Sequence, residues 1–324
     1  MPNQLSKRSV GNRKVAIIGA GFVGSTIAYA MSLRDIGREI VLIDRSEKKA
    51  YGEAVDIRHG IPSLGTTDVY VGSYEDCVDC DLIVICAGRG RKPGESRLDL
   101  ANENVRIMRD VVRNIQRHYT RGVVLIISNP VDILTFKVGE WMGLPDGMVF
   151  GSGCILDCSR LVTLVSDYVG LSTGAVNGYV VGEHGDMQVP LWSRMTVGGI
   201  PVGQYCAEMS LPWDDEVRNT LAAQTRNMGG RIIDDKGRTH FGIATCVCHI
   251  ADAVINQRPM IACVSSTLMG EHGCRGVALS VPSVVGPSGV QQRIRERWAP
   301  DEYRGFFDAV EVMREKLGEI DRQQ

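Results

Sequence analysis

Residues 183–186 read Glu-His-Gly-Asp, with Val181 and Gly182 before them and the run VPLWS at 189–193 just after. An imidazole can give or take a proton near neutral pH, because its unperturbed pKa is about 6.5. Held between two glycines, His184 reads as an acid–base group placed opposite a redox centre. A second stretch says which centre. Residues 15–24, VAIIGAGFVG, close an apolar run in Gly19-x-Gly21-x-x-Gly24, and Asp44 ends the next run, EIVLID. A strand, a glycine turn, a helix and an acid about 20 residues on form a dinucleotide fingerprint. Gly19 and Gly21 allow the tight turn and close backbone approach, and Gly24 lets the helix pack on the sheet. The pyrophosphate then lies at a helix N-terminus, where unpaired N–H groups favour anions. The Asp44 carboxylate would accept the adenosine ribose hydroxyls and repel a 2′-phosphate. That favours NAD over NADP, although Arg45 is adjacent.

A further acid and base stand three apart at Asp157 and Arg160. On a helix they share a face, either as a surface ion pair or as a working pair. A guanidinium suits a carboxylate ligand because its planar fork binds both oxygens.

The elements that must hold these groups are legible. The first 150 residues alternate continuous apolar runs with helical stretches. The runs are 14–19, 39–44, 68–71, 82–86 and 122–128, and helical periodicity covers 22–35 and 101–118. Runs this short and continuous suit strands buried on both faces of a parallel sheet. The fold class is therefore α/β, a doubly wound dinucleotide domain over 14–151 followed by an α+β substrate domain over 152–324. In the second half a helix is expected at 155–170, strands at 175–181 and 187–197, and helices over 213–256 broken near Lys236 and Gly237. Strands at 259–269 and 274–281 and a last helix near 300–320 complete it. Residues 88–100, GRGRKPGESRLDL, interrupt the order with glycines, a proline and four cationic residues. They read as a lid carrying positive charge onto an anionic substrate. Residues 1–13 read as a short mobile tail without a secretory pattern.

Net charge is −2 over 324 residues, so no global field recruits nucleic acid or an anionic membrane. No apolar run is long enough for a spanning helix. The ten cysteines include Cys77-x-x-Cys80, but no second pair at zinc-ribbon spacing. They read as buried free thiols in a reducing cytoplasm, with no metal site.

Seven motifs occur in one order: GAGFVGS, DIRHG (56–60), RKPGESRLDL, SNPVD (128–132), LDCSR (156–160), GEHGD and GRTHFGIA. In these the chain resembles the L-lactate/L-malate dehydrogenase superfamily from about residue 14 to 320. The resemblance implies hydride transfer between NAD(H) and C2 of a small 2-oxo or 2-hydroxy acid. By it, Asp157 orients His184, Arg160 clamps the substrate carboxylate, and Arg97 polarises the carbonyl when the lid shuts. Asn129 would contact the carbonyl or the nicotinamide region, and its bond to Pro130 would be cis. Thr239 takes the position where lactate enzymes carry threonine. The cofactor groove would extend over Phe22, Val23, Ala87 and Gly88, then Asn104, Ser128 and Asn129, with Ser152 and Ile243 at the nicotinamide.

Two departures bear on substrate and regulation. Arg91 stands where lactate enzymes usually carry glutamine and malate enzymes arginine; Glu95 could pair with it. Asn227-Met228-Gly229-Gly230 is also malate-like, whereas DIRHG, Glu95, GEHGD, VPLWS and Thr239 are lactate-like. Pyruvate/L-lactate is the favoured couple and oxaloacetate/L-malate the alternative. Allosteric bacterial relatives bind a sugar bisphosphate between subunits through an arginine and a histidine; here Val162 and Asn177 occupy those positions. A cytoplasmic homo-oligomer, a tetramer by the lactate-like frame, is expected. Two other classes stay open: an NAD-binding protein without catalysis, and an NAD-dependent glycosidase. The set Arg97, Asp157, Arg160 and His184 speaks against the first. The lack of a metal-binding Cys/His pattern speaks against the second.

Overall fold

The computed structural model describes residues 13–61, 65–90 and 97–323. In the first half the order is β1 (Lys14–Ile18), α1 (Phe22–Leu33), β2 (Glu39–Ile43), α2 (Glu47–Gly60) and β3 (Asp68–Val71). β4 (Leu82–Ile85), α3 (Arg97–Gln116), β5 (Val123–Ile126), α4 (Val131–Met142) and β6 (Val149–Gly151) follow. The second half opens with α5 (Ile155–Val169), β7 (Val176–Asn177), β8 (Val180–Gly182), β9 (Gln188–Pro190), β10 (Thr196–Val197) and β11 (Ile200–Pro201). Then come α6 (Val202–Glu208), α7 (Asp215–Lys236), α8 (Phe241–Ile255), β12 (Met260–Met269), β13 (Arg275–Gly286), β14 (Gly289–Arg293) and α9 (Pro300–Gln323).

The first six strands are parallel in the order β3-β2-β1-β4-β5-β6, the doubly wound arrangement. Alternate side chains explain the apolar runs. Ala16, Ile18, Val41, Ile43, Ile83 and Ile85 enter one core, while Val15, Ile17, Ile40, Leu42, Leu82 and Val84 enter the other. Both faces are covered by helices, so neither face of a strand can be polar. The strand order reverses between β1 and β4, and the crevice beyond their carboxyl ends is where such sheets bind ligands.

The sheet does not stop at β6. It passes antiparallel to β12 through the pair Ser265↔Gly151, then to β13, β8 and β9, with β14 beside β13. Several expected boundaries are corrected. The runs at 175–181 and 187–197 are not long strands: each splits into pieces of two or three residues, the second around a tight turn at Trp192–Arg194. β13 continues past Pro282 to Gly286, because its neighbour changes there from β8 at Ser280 to β14 at Ser283. A proline can sit where no ladder donor is needed. Residues 97–100, expected as loop, form the first turn of α3. The buried spacing Ala101, Val105, Met108, Val112, Ile115 shows why a helix forms there.

Candidate active site

The cofactor end is shaped by close backbone contacts. Gly19 has φ +101°, and a Cβ on it would lie 2.7 Å from the Ala87 nitrogen. A Cβ on Gly24 would lie 2.0 Å from the Gly19 oxygen, so α1 packs against the turn only because neither residue has a side chain. Gly21 caps α1 with no side-chain hydrogen bond, and the first turn contains no acid. The helix therefore presents unsatisfied N–H groups and its positive end to the crevice. Phe22 and Val23 form that first turn.

Asp44 is fixed at the end of β2. Its carboxylate accepts N–H bonds from Ala20 at 2.8 Å and Ser46 at 2.9 Å, one on each oxygen. Each oxygen keeps a lone pair for a ribose hydroxyl. The uncapped helix end and the oriented carboxylate fit a dinucleotide. Arg45 is exposed beside them. Asn104 and Ser128 are both engaged in hydrogen bonds to the neighbouring main chain. Asn104 is 2% exposed, accepts from the Arg89 N–H at 3.0 Å and donates to the Asn129 carbonyl at 2.7 Å and the Arg89 carbonyl at 3.1 Å. Its amide is thus used in holding the Ala87–Gly88 turn against Asn129. The Ser128 hydroxyl donates to the Ala87 carbonyl at 2.5 Å for the same end.

A cavity of about 690 Å³ opens beside this groove. It brings together Val23, Asn129 and Ser152 from the first half and Asp157, Arg160 and His184 from the second, with Thr239 from the α7–α8 connection and Ile243 from α8. The Asn129–Pro130 bond is cis, as expected. α5 places Asp157 and Arg160 on one face. Asp157 is 1% exposed and uses one oxygen on each partner: Oδ1 with Arg160 Nη1 at 3.0 Å, Oδ2 with His184 Nδ1 at 2.5 Å. The carboxylate thus fixes both side chains, and the imidazole, 25% exposed, keeps its other nitrogen toward the cavity side.

Burial pulls the His184 imidazole down, but the charge and hydrogen bond of Asp157, with the charge of Asp132, outweigh it. Arg160 opposes them, and the net shift is upward from 6.5. This favours a protonated ring ready to donate. Arg160 has room for its guanidinium because Gly229 faces it: a Cβ there would lie 3.3 Å from Nη2.

Sequence reasoning missed several cavity residues. Arg226 and Ile233 of α7, Glu183 and Gln188 around the histidine loop, and Lys316 and Glu319 of α9 all line it. Lys316 is paired with Glu183 at 2.5 Å, which ties the last helix to the catalytic loop. Only a spacing signal on α9 at 316 and 319 could have suggested this, and it resembles any exposed helix face. Two lid residues of the expected site, Arg91 and Glu95, lie outside the described residues. Arg97 begins α3. All ten cysteines are unpaired; the Cys77 and Cys80 thiols are pushed up to about 12, mainly by burial. Among the described residues no helix is long and apolar enough to cross a membrane.

Two family models divide this chain between them. Residues 13–151 match the lactate/malate dehydrogenase NAD binding domain, and residues 154–320 match the lactate/malate dehydrogenase alpha/beta C-terminal domain. The chain belongs to the lactate/malate dehydrogenase family. It is an NAD-dependent oxidoreductase of 2-hydroxy acids. Among its relatives, an L-lactate dehydrogenase of Priestia megaterium is 39% identical over 94% of this chain and 95% of its own length. One from Thermoanaerobacter sp. (strain X514) is 38% identical over 95% and 99%. The minor L-lactate dehydrogenase of Enterococcus mundtii superposes with a TM-score of 0.91 at 37% identity, covering 95% of this chain and 98% of that one. A lactate dehydrogenase from a Medee basin deep-sea metagenome library gives 0.92 at 32%, covering 96% and 99%.

Proposed function

We propose that this protein is an L-lactate dehydrogenase, reducing pyruvate with NADH to L-lactate, and that oxaloacetate is its weaker substrate. The observation that carries the reading is one buried carboxylate, Asp157, bonded at once to His184 and Arg160 at the edge of the cavity. In this reading Arg160 binds the substrate carboxylate through the guanidinium nitrogens that Asp157 leaves free. His184 delivers a proton from Nε2 to the carbonyl oxygen, and Asp157 stabilises the imidazolium before transfer. Asn129 orients the carbonyl from the α4 side, and Arg97 polarises it as the lid excludes water. Thr239, Ser152 and Ile243 shape the pocket floor. Bound NAD supplies or accepts the hydride at substrate C2. Gly19, Gly21, Phe22, Val23, Gly24, Asp44, Ala87 and Gly88 would hold it.

The preference for pyruvate is supported by Thr239 in the cavity lining and by the names of the similar proteins. Arg91 would reach a second carboxylate unless Glu95 neutralises it, so the bias stays within about a hundredfold, roughly 2.7 kcal/mol. Paired kcat/KM values for pyruvate and oxaloacetate, in wild type and Arg91→Gln, test this. Arg91→Gln should harm oxaloacetate far more than pyruvate. A wild-type preference for oxaloacetate of about a thousandfold, roughly 4 kcal/mol, would overturn the reading in favour of malate. The protein is also read as a cytoplasmic homotetramer, and sedimentation equilibrium would test that.

A further inference from the structure

Asp132 touches neither the His184 ring nor Arg160 in the contacts described so far, yet it reaches the main chain of the His184 loop. It is the second residue of α4, three positions after Asn129, and it is 2% exposed. Its Oδ2 accepts the main-chain N–H of His184 at 2.8 Å, joining segments 52 positions apart. Oδ1 has no hydrogen-bond partner among the described residues, and the buried hydroxyls of Thr135 and Ser265 have none either. Ser265 lies beside the carboxylate and eases its charge without closing a hydrogen bond of ordinary length. A buried carboxylate with one open oxygen is expensive, and a neutral residue could cap the same N–H more cheaply.

We propose that Asp132 is a positioning residue for His184: it pins the main chain of the catalytic loop and, with Asp157, completes a two-carboxylate cradle for the protonated imidazole. The inference rests on reading His184 as the proton donor. Among the described residues, Asp157, Asp132 and Arg160 act on the charge of the ring. Asp157 of α5 touches it, Arg160 of the same helix opposes its charge, and Asp132 of α4 supports it. Glu183, next in sequence, is held by Lys316 and raises the proton affinity of Asp132 slightly. The Cys154 thiol nearby is pushed well above its usual range by burial and is neutral. Burial pushes the Asp132 carboxyl up to about 6 against the help of Ser265 and the His184 N–H. Above that pH it is charged, and each ionised partner then favours the other.

The test compares the full-length wild type with Asp132→Asn, Asp132→Ala and the double variant Thr135→Val/Ser265→Ala. Asparagine keeps an acceptor oxygen but removes the charge. The double variant leaves the carboxylate but removes Ser265, which eases its charge, together with the second partnerless buried hydroxyl, that of Thr135. Two readouts are taken against pH: diethyl pyrocarbonate modification of the His184 peptide by mass spectrometry, and kcat and KM for pyruvate reduction. NADH fluorescence checks that the cofactor groove is intact. Asp132→Asn should lower the His184 midpoint by about one pH unit, so that turnover falls about tenfold at pH 8.5 and stays within about twofold at pH 6. The double variant should shift it the same way by less. Asp132→Ala, which also loses the N–H anchor, should lose kcat at every pH with little change in KM. A midpoint unmoved in Asp132→Asn and in the double variant overturns the proposal and leaves Asp132 a structural cap. If asparagine prevents folding, the double variant decides by the same readout. The modification midpoint does not depend on which group donates the proton. Its failure is therefore distinct from failure of the catalytic assignment, which would show as turnover retained in His184→Asn.

Discussion

A single side chain, Asp157, joins His184, the proposed proton donor, to Arg160, the proposed substrate clamp. Each of its oxygens serves one partner, so neither His184 nor Arg160 can move without disturbing the other. His184→Asn should reduce turnover by about 10²–10⁴ while NADH binding stays within about twofold, because the ring serves proton transfer and not the cofactor. Stopped-flow reduction of pyruvate and NADH fluorescence together measure both, and retention of more than a tenth of wild-type turnover would refute the role. At the other end of the groove, Asp44 is oriented by two backbone N–H groups before any ligand arrives. NADH should be preferred over NADPH by at least about tenfold, roughly 1.4 kcal/mol, in kcat/KM. Equal values would mean that exposed Arg45 offsets the carboxylate. His184 and Asp44 stand out by residue type and spacing, whereas the pairing of Asp157 with His184 and the clamp reading of Arg160 come from the family resemblance. Asp132, Arg226 and Lys316 were legible from neither, because a lone charged residue on a helix carries no mark of burial or of what faces it.

The elements show the same division. β1, β2, β4 and β5 announce themselves as continuous apolar runs because both of their faces are buried. α2 and α4 were passed over, and so were β6, at three residues, and β14, at five. β6 is too short for periodicity to register, and β14, GVQQR, is not a continuous apolar run. Helix α7 carries a conflict that sequence alone exposes but cannot resolve: Gly229 and Gly230 lie inside a helix of 22 residues, where glycine is unfavourable by about 1 kcal/mol each. Geometry separates the two. A Cβ on Gly229 would crowd Arg160 Nη2 at 3.3 Å, whereas on Gly230 it would meet nothing within 4 Å. Gly230→Ala should therefore stabilise the protein by about 1 kcal/mol in urea denaturation with unchanged kinetics. Gly229→Ala should gain helix stability yet raise the pyruvate KM about tenfold, the loss of roughly one charge-assisted hydrogen bond. Identical kinetics in the two variants would show that Arg160 has slack and that Gly229 is not there for the clamp.

At the scale of the whole molecule, the two halves are one sheet joined by a single strand pair, Ser265↔Gly151, and the cavity lies where they meet. The sequence pattern separated the halves correctly in kind but could not show this continuity, since one residue pair leaves no periodic trace. The last helix secures the join: Lys316 pairs with Glu183, and Asp321 pairs with Lys137 of α4 at 2.7 Å. By the family resemblance, allosteric bacterial members bind a sugar bisphosphate between subunits through an arginine and a histidine. Here the equivalent positions hold Val162, half-buried on α5, and Asn177, exposed on β7. Val162 offers no donor and Asn177 only a neutral amide, so neither can form an ion pair with a phosphate, and a hydrogen bond from a charged donor is worth about 1.5–3 kcal/mol. Without a cation at either position, a bisphosphate has too little binding energy to alter the kinetics at millimolar concentration. Fructose 1,6-bisphosphate is therefore expected to leave both the pyruvate KM and the sedimentation profile unchanged. Titrating it to about 5 mM, where even a weak site of roughly −4 kcal/mol would be mostly filled, checks this. A clear fall in pyruvate KM would mean that other cations have taken over the site. Introducing the pair with Val162→Arg and Asn177→His should then be the variant that gains activation, if the subunit contacts otherwise follow the family frame.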